Sequence, residues 1–195
     1  MSGILVFHVQ LDGLLPAIWR RLEIRADRTF WDLHCAIQDA MPWEDLHLHE
    51  FRFPEPSLLP PIGIPDPDFP EDASRELASW RVPLATGFVG DARVCNYLYD
   101  FGDEWHHTVT LEARERTRPG VRYPRCTGGE RACPPEDVGG PPGYFEFLTA
   151  MLNPAHPEHQ SYREWVGRSW DPSAFAFEDV LFGNPKVRLR QAGLA

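Results

Sequence analysis

Two alternating runs separated by a Gly/Pro turn constrain this chain more than any other feature. In ILVFHVQL (4–11), Leu5, Phe7, Val9 and Leu11 share one side by period-two counting. After the turn DGLLP, the run AIWRRLEIRA (17–26) sets Ile18, Leu22 and Ile24 against Trp19, Arg21 and Glu23. Such a pair predicts a β-hairpin with one face in a core. Arg20 breaks the pattern by falling on the apolar side. It must either snorkel outward at an edge or belong to a polar site.

The next segment, RTFWDLHCAIQDAMPW (28–43), changes period. Thr29 is an N-cap with Asp32 three residues on, and Phe30, Leu33, Ile37, Ala40 and Met41 form one helical stripe. Pro42 cannot continue the ladder, which predicts a helix over about 29–41. His34 borders the stripe and reads as a satisfied edge histidine. HLHEFRF (47–53) returns to period two, with His47, His49, Phe51 and Phe53 on one face. Residues 54–75 form a Pro-rich loop, with seven prolines between 54 and 70. A short helix is expected near RVPLATGF, then two strands around a turn at DFGDE (100–104). Trp105, His107, Val109 and Leu111 share a face of the second. PGYFEFLTAML, HPEHQSYREWVG and DPSAFAFEDVLF each read as a short helix with proline near its first turn. The expected class is α+β: a β-grasp-like mixed sheet (hairpin, helix, further strands) with a helical C-terminal third. Residues 1–183 are expected to form a single domain, with 184–195 a frayed C-terminal tail.

A net charge of −10 disfavours broad electrostatic binding to nucleic acid or anionic membrane. Arg116, Arg118, Arg122 and Arg125 cluster locally, and the expectation is a solvated loop face. No apolar run reaches the roughly 20 residues that span a bilayer, and the N-terminus lacks a basic leader region. Four cysteines are too few for a disulfide scaffold at this length, so reduced thiols in a cytoplasm are expected.

Two places carry candidate chemistry. The first is RCTGGERACPPEDVGG (125–140). Cys126 and Cys133 are two thiols where closed zinc sites use four ligands, and Glu136 and Asp137 are harder donors than zinc prefers. No lysine and serine or threonine follow the glycines, as a P-loop would require. A stiff structural loop fits better. Gly128, Gly129, Gly139 and Gly140 permit positive φ, and Pro134 and Pro135 stiffen the chain. Glu136 and Asp137 accept backbone hydrogen bonds, while Cys126 and Cys133 fill space. The second place joins His49 to Asp100, Asp103 and His107, with Arg20 as a compensating charge. These residues form either a buried polar network or a divalent-metal or acid–base site. Metal ligation, the minor alternative, would draw on His49, Asp103, His107, Cys126 and Cys133.

PAIWRRLEI, LHLHEFRF, YDFGDEWHHTVTLE, YPRCTGGERACPPEDVGG and GYFEFL…NPAHPEHQSYREWVG occur in this order. In that order they resemble the plasmid ORF-three-like family, first named from a root-inducing plasmid. Its members are also described as insertion-element passenger, TnpR-like, proteins. The resemblance covers roughly residues 4–182. It implies a cytoplasmic protein with no settled activity. Many members carry a third cysteine in CPPEDCGG where this chain has Val138. The functional expectation is an accessory or binding protein with a protein partner and no cofactor. The alternative is a metal-dependent hydrolase or nuclease built on the His/Asp set.

Overall fold

A computed structural model describes residues 3–65, 76–167 and 170–194. The fold is mixed α+β, with an eight-stranded sheet and five α-helices among these residues. The hairpin forms as its alternation demands. Strand β1 (Gly3–Leu11) pairs antiparallel with β2 (Ile18–Arg25), with Leu11 opposite Ile18 and Ile4 opposite Arg25. Helix α1 (Phe30–Ala40) follows. Thr29 and Asp32 complete a capping box: the Thr29 amide donates to Asp32 Oδ2 at 2.9 Å, and the Asp32 amide to Thr29 Oγ1 at 3.4 Å. Phe30, Leu33 and Ile37 are fully buried in the core. Each such side chain contributes about 1.5–3 kcal/mol of transfer free energy.

Four strands extend the sheet: β3 (His49–Arg52), β4 (Ile62–Gly63), β5 (Leu77–Ala78) and β6 (Val94–Tyr99). Helix α2 (Leu84–Gly87) precedes β6, and β7 (Trp105–Arg116) and β8 (Arg125–Glu130) complete the sheet. The order is β5-β4-β3-β6-β7-β1-β2-β8. Among the described residues, only the marginal pair β4–β5 is parallel, and it lies at the edge. The expected β-grasp-like plan thus reduces here to a mixed sheet with a helix inserted after its first hairpin. Helices α3 (Gly140–Leu152), α4 (His159–Trp165) and α5 (Pro185–Gln191) follow the last strand.

The structure corrects four local expectations. RCTGGE is a strand rather than loop: β8 pairs with β2, Cys126 opposite Leu22 and Gly129 opposite Arg20. Gly129 is required by close approach, since a Cβ there would lie 2.3 Å from the Phe175 ring. Within the Pro-rich loop, β4 forms against β3, while residues 66–75 of that loop lie outside the described residues. DPSAFAFEDVLF forms only a 3-10 turn at Phe177–Asp179. Within 184–195, the expected tail is helix α5, capped by the Asn184 side chain and docked on α1. Trp31 Nε1 donates to the Pro185 carbonyl at 2.9 Å, and Arg188 pairs with Asp39. A helix of about two turns is stable because these contacts hold it. No helix among the described residues is long and apolar enough to cross a membrane.

Candidate functional site

Three loops converge where β3 begins and β6 ends. The turn after β6 is organised by Asp100. Its Oδ1 accepts from the Gly102 amide at 2.9 Å and from the Asp103 amide at 3.3 Å. Its own amide donates to the Leu48 carbonyl at 3.0 Å, tying the turn to the loop before β3. Asp100 holds φ at 57°, a left-handed conformation that Asp and Asn tolerate better than most residues.

Asp103 joins the third loop. Its Oδ2 accepts from the Gly139 amide at 3.0 Å. Gly140 has φ 66°, and a Cβ there would sit 2.4 Å from the Asp103 carbonyl oxygen. The Pro-Pro-Glu-Asp segment is pinned from the other side. Trp43 Nε1 donates to the Pro134 carbonyl at 3.0 Å, and the Glu44 amide to Glu136 Oε2 at 2.6 Å. The Tyr99 hydroxyl donates to Glu136 Oε1. Burial and the Glu136 carboxylate push the Tyr99 pKa up, so the phenol stays neutral and keeps donating. Glu136 thus accepts from the Glu44 amide and the Tyr99 hydroxyl, and Gly139 and Gly140 both have positive φ.

The convergence leaves one imidazole among carboxylates. His47 Nε2 lies 2.8 Å from Asp137 Oδ1, 3.5 Å from Asp100 Oδ2 and 4.0 Å from Glu136 Oε1. Candidate ligand atoms of His47, Asp100 and Asp137 all lie within 4.8 Å of one another. Burial pulls the His47 pKa down. The hydrogen bond to Asp137 and the charges of Asp100, Asp137 and Glu136 outweigh it, leaving the group above its ordinary value. The site is half open: the Asp137 side chain is 61% exposed and that of Asp100 is 11%. One nitrogen and two carboxylates on a partly open face suit a divalent cation with free coordination positions.

His49 and His107, expected beside the aspartates, lie elsewhere. His49 is stacked on His34, ring centres 3.6 Å apart and planes 12° apart, with Nε2 3.2 Å from Ser79 Oγ. Burial and then the neighbouring His34 hold its pKa well below the ordinary value. His107 Nδ1 donates to the Trp105 carbonyl at 2.9 Å, and burial lowers its pKa to about 3 despite the carbonyl contacts. Both are neutral, buried imidazoles. The histidine beside Asp100 and Asp137 is instead His47, which the strand pattern aligned with His49 but which precedes β3 and swings to the loops.

Arg20 serves a different place from the one expected. It is 1% exposed, and its guanidinium donates to the carbonyls of Ala40 (2.8 Å), Trp19 (2.8 Å), Glu130 (3.0 Å) and Arg131 (2.9 Å). The Phe175 ring packs over it at 3.6 Å. Arg20 thus stitches the end of α1 to the end of β8. Cys126 and Cys133 are buried free thiols nearby. Burial raises both pKa values against the pull of Arg20, so neither is an activated nucleophile. Neither belongs to the His47 cluster.

A further network was legible only as an edge histidine. Gln38 Nε2 donates to the Tyr97 hydroxyl at 3.0 Å, which lies 2.8 Å from His34 Nδ1; His34 Nε2 lies 2.7 Å from Asp45 Oδ1. With the proton on His34 Nε2, every bond in that chain has one donor and one acceptor.

Fold and site together describe a mixed α+β protein in which loops at one end of the sheet gather the candidate ligand residues His47, Asp100 and Asp137. The chain belongs to the plasmid pRiA4b ORF-3-like protein family, which it matches over residues 3–179. It is 36% identical over 186 residues to the uncharacterised protein y4hQ of Sinorhizobium fredii, covering 92% of this chain and 90% of that one. A crystal structure of MM3350, a protein of unknown function from Methanosarcina mazei Go1, resembles it with a TM-score of 0.83 and 37% identity. That match covers 93% of this chain and 99% of the other. These relatives carry no identified reaction.

Proposed function

We propose that this is a binding protein whose docking end is organised by a divalent cation held by His47, Asp100 and Asp137. The observation that carries the reading is the meeting of three ligand atoms from three separate chain segments within 4.8 Å. Three carboxylates crowd one imidazole, and a cation offsets their mutual repulsion better than a proton on His47 alone. Around the cluster, Leu46, Leu48 and Phe101 are exposed. Apolar side chains rimming a polar centre are what a protein partner would cover. The protein then acts in the cytoplasm as an accessory factor, of the kind that mobile elements carry as passengers. The net negative charge keeps nucleic acid from being its main partner.

The test is calorimetric titration of chelator-treated protein with Mn²⁺ and Zn²⁺. Asp100→Asn keeps the Oδ1 that caps the turn and removes the charge. Asp137→Asn also removes only charge, since asparagine tolerates the left-handed backbone that Asp137 adopts at φ 57°. One equivalent of cation should bind the wild type, and each variant should lose about tenfold or more in affinity. Wild type and both variants binding alike, or none binding, would reject the reading.

A second reading is favoured by the exposure of Asp137, which leaves coordination positions open. Three protein ligands with an open position are the pattern of hydrolytic metal centres. Metal-dependent cleavage of bis(p-nitrophenyl) phosphate, lost in Asp100→Asn, would distinguish it from a docking role.

A further inference from the structure

A cleft of about 630 Å³ lies away from the His47 cluster, between the end of β2, the start of α1, the segment 122–124 and the segment 182–186. We propose that it binds a nucleotide-class ligand: a small molecule joining phosphate to a planar ring.

The charge pattern is the first argument. The cleft is lined by four cations, Arg25, Arg28, Arg122 and Lys186, against the single carboxylate of Asp32. That concentration occurs in a chain whose net charge is −10, so it is not an average of the surface. Two of the cations are partly committed. Arg25 pairs with Asp27 at 2.5 Å, and Arg28 reaches Asp27 and Asp32 at 4.0 Å each. Asp32 in turn commits Oδ2 to the Thr29 cap. Arg122 and Lys186 are exposed and have no ion pair among the described residues. The uncompensated charge therefore sits on two walls of the cleft. It matches a phosphate ester, which carries about −1.5 to −2 at neutral pH, better than a single carboxylate. Guanidinium forks bind phosphate oxygens in pairs, and lysine adds a mobile point charge.

Size and lining supply the second argument. Small-ligand sites fall at roughly 300–1,000 Å³, and this cleft lies within that range. Tyr123 and Phe182 also line it, beside Pro124 and Pro185. Aromatic and proline surfaces accommodate a planar ring, which inorganic phosphate alone would leave uncovered. The walls come from segments that only the tertiary fold brings together, with α5 docking on α1 closing one side.

The experiment titrates the full-length protein with ADP, AMP, pyrophosphate and adenosine by calorimetry. ADP should bind at one equivalent, with pyrophosphate and adenosine each at least about tenfold weaker because each satisfies half of the site. Arg122→Ala and Lys186→Ala, both at exposed positions, should each weaken ADP about tenfold without changing the unfolding midpoint. His47→Asn should leave ADP binding unchanged, which separates this site from the cation site. Equal affinity for adenosine and ADP, indifference to both cleft substitutions, or no saturable ADP binding up to about 1 mM overturns the proposal. Binding of a single-stranded oligonucleotide through Arg122 and Lys186 at far higher affinity than ADP also overturns it, assigning the cleft to nucleic acid.

Discussion

His47 Nε2 stands 2.8 Å from Asp137 Oδ1 although ninety residues separate them. The pairing raises the His47 pKa above 6.5, so the folded chain holds this proton more tightly than the unfolded chain does. In cation-free protein, the stabilisation is complete below pH 6.5 and is lost as pH rises through the raised folded value. Urea midpoints of wild type and Asp137→Asn should therefore differ most near pH 6 and converge toward pH 9. A gap that stays constant across that range would contradict the assignment. With cation present the sign reverses: the ligand must be the neutral imidazole, so affinity should weaken as pH falls through the same value.

His49 and His107 predict the opposite acid behaviour. Both are buried, and their folded pKa values lie below 6.5, that of His107 at about 3. Between those values the unfolded chain takes up protons that the folded chain refuses. Their contribution is intact above pH 6.5 and declines as pH falls, for His107 down to about 3. In His107→Asn, whose side-chain amide can still donate to the Trp105 carbonyl, the loss of stability between pH 6.5 and pH 4 should be shallower. Denaturant midpoints at four or five pH values measure it.

Arg20 is a buried cation satisfied by carbonyl oxygens rather than by a carboxylate. Arg20→Ala leaves the carbonyls of Ala40, Glu130 and Arg131 short of a donor and empties the face of Phe175. The expected cost is on the order of 3–5 kcal/mol. Arg20→Lys should recover only a minor part, because one ammonium cannot replace a planar fork that spans α1 and β8. Full recovery by lysine in equilibrium unfolding would show that charge, not fork geometry, is what the position requires.

The docking of α5 rests on Arg188, which pairs with Asp39 and lies 3.7 Å from Asp45. Arg188→Ala should raise amide hydrogen exchange across residues 185–191 while leaving β1 and β7 protected. The helix is too short to persist without tertiary contacts. Unchanged exchange would mean that the Trp31–Pro185 contact suffices alone.

The β1–β2 hairpin, α1 with its Thr29–Asp32 box and the turn at Asp100 were legible because each is encoded within a few residues. Alternation, a cap and turn chemistry are local signals. Strand β8 was hidden because Gly128 and Gly129 erase alternation, and its glycine requirement comes from Phe175, more than forty residues later. Helix α5 carried its cap signal in Asn184 and Pro185, but whether it would hold depended on Asp39 and Trp31. The site residues divide in the same way. Asp100, Asp103, Glu136 and Asp137 stood out as turn and loop carboxylates, yet their histidine did not. Strand periodicity assigns a face, and His47 lies two residues before the strand, where the face is no longer defined. Which imidazole meets Asp137 was decided by the packing of three loops, an interaction between distant segments that no local pattern in the chain encodes.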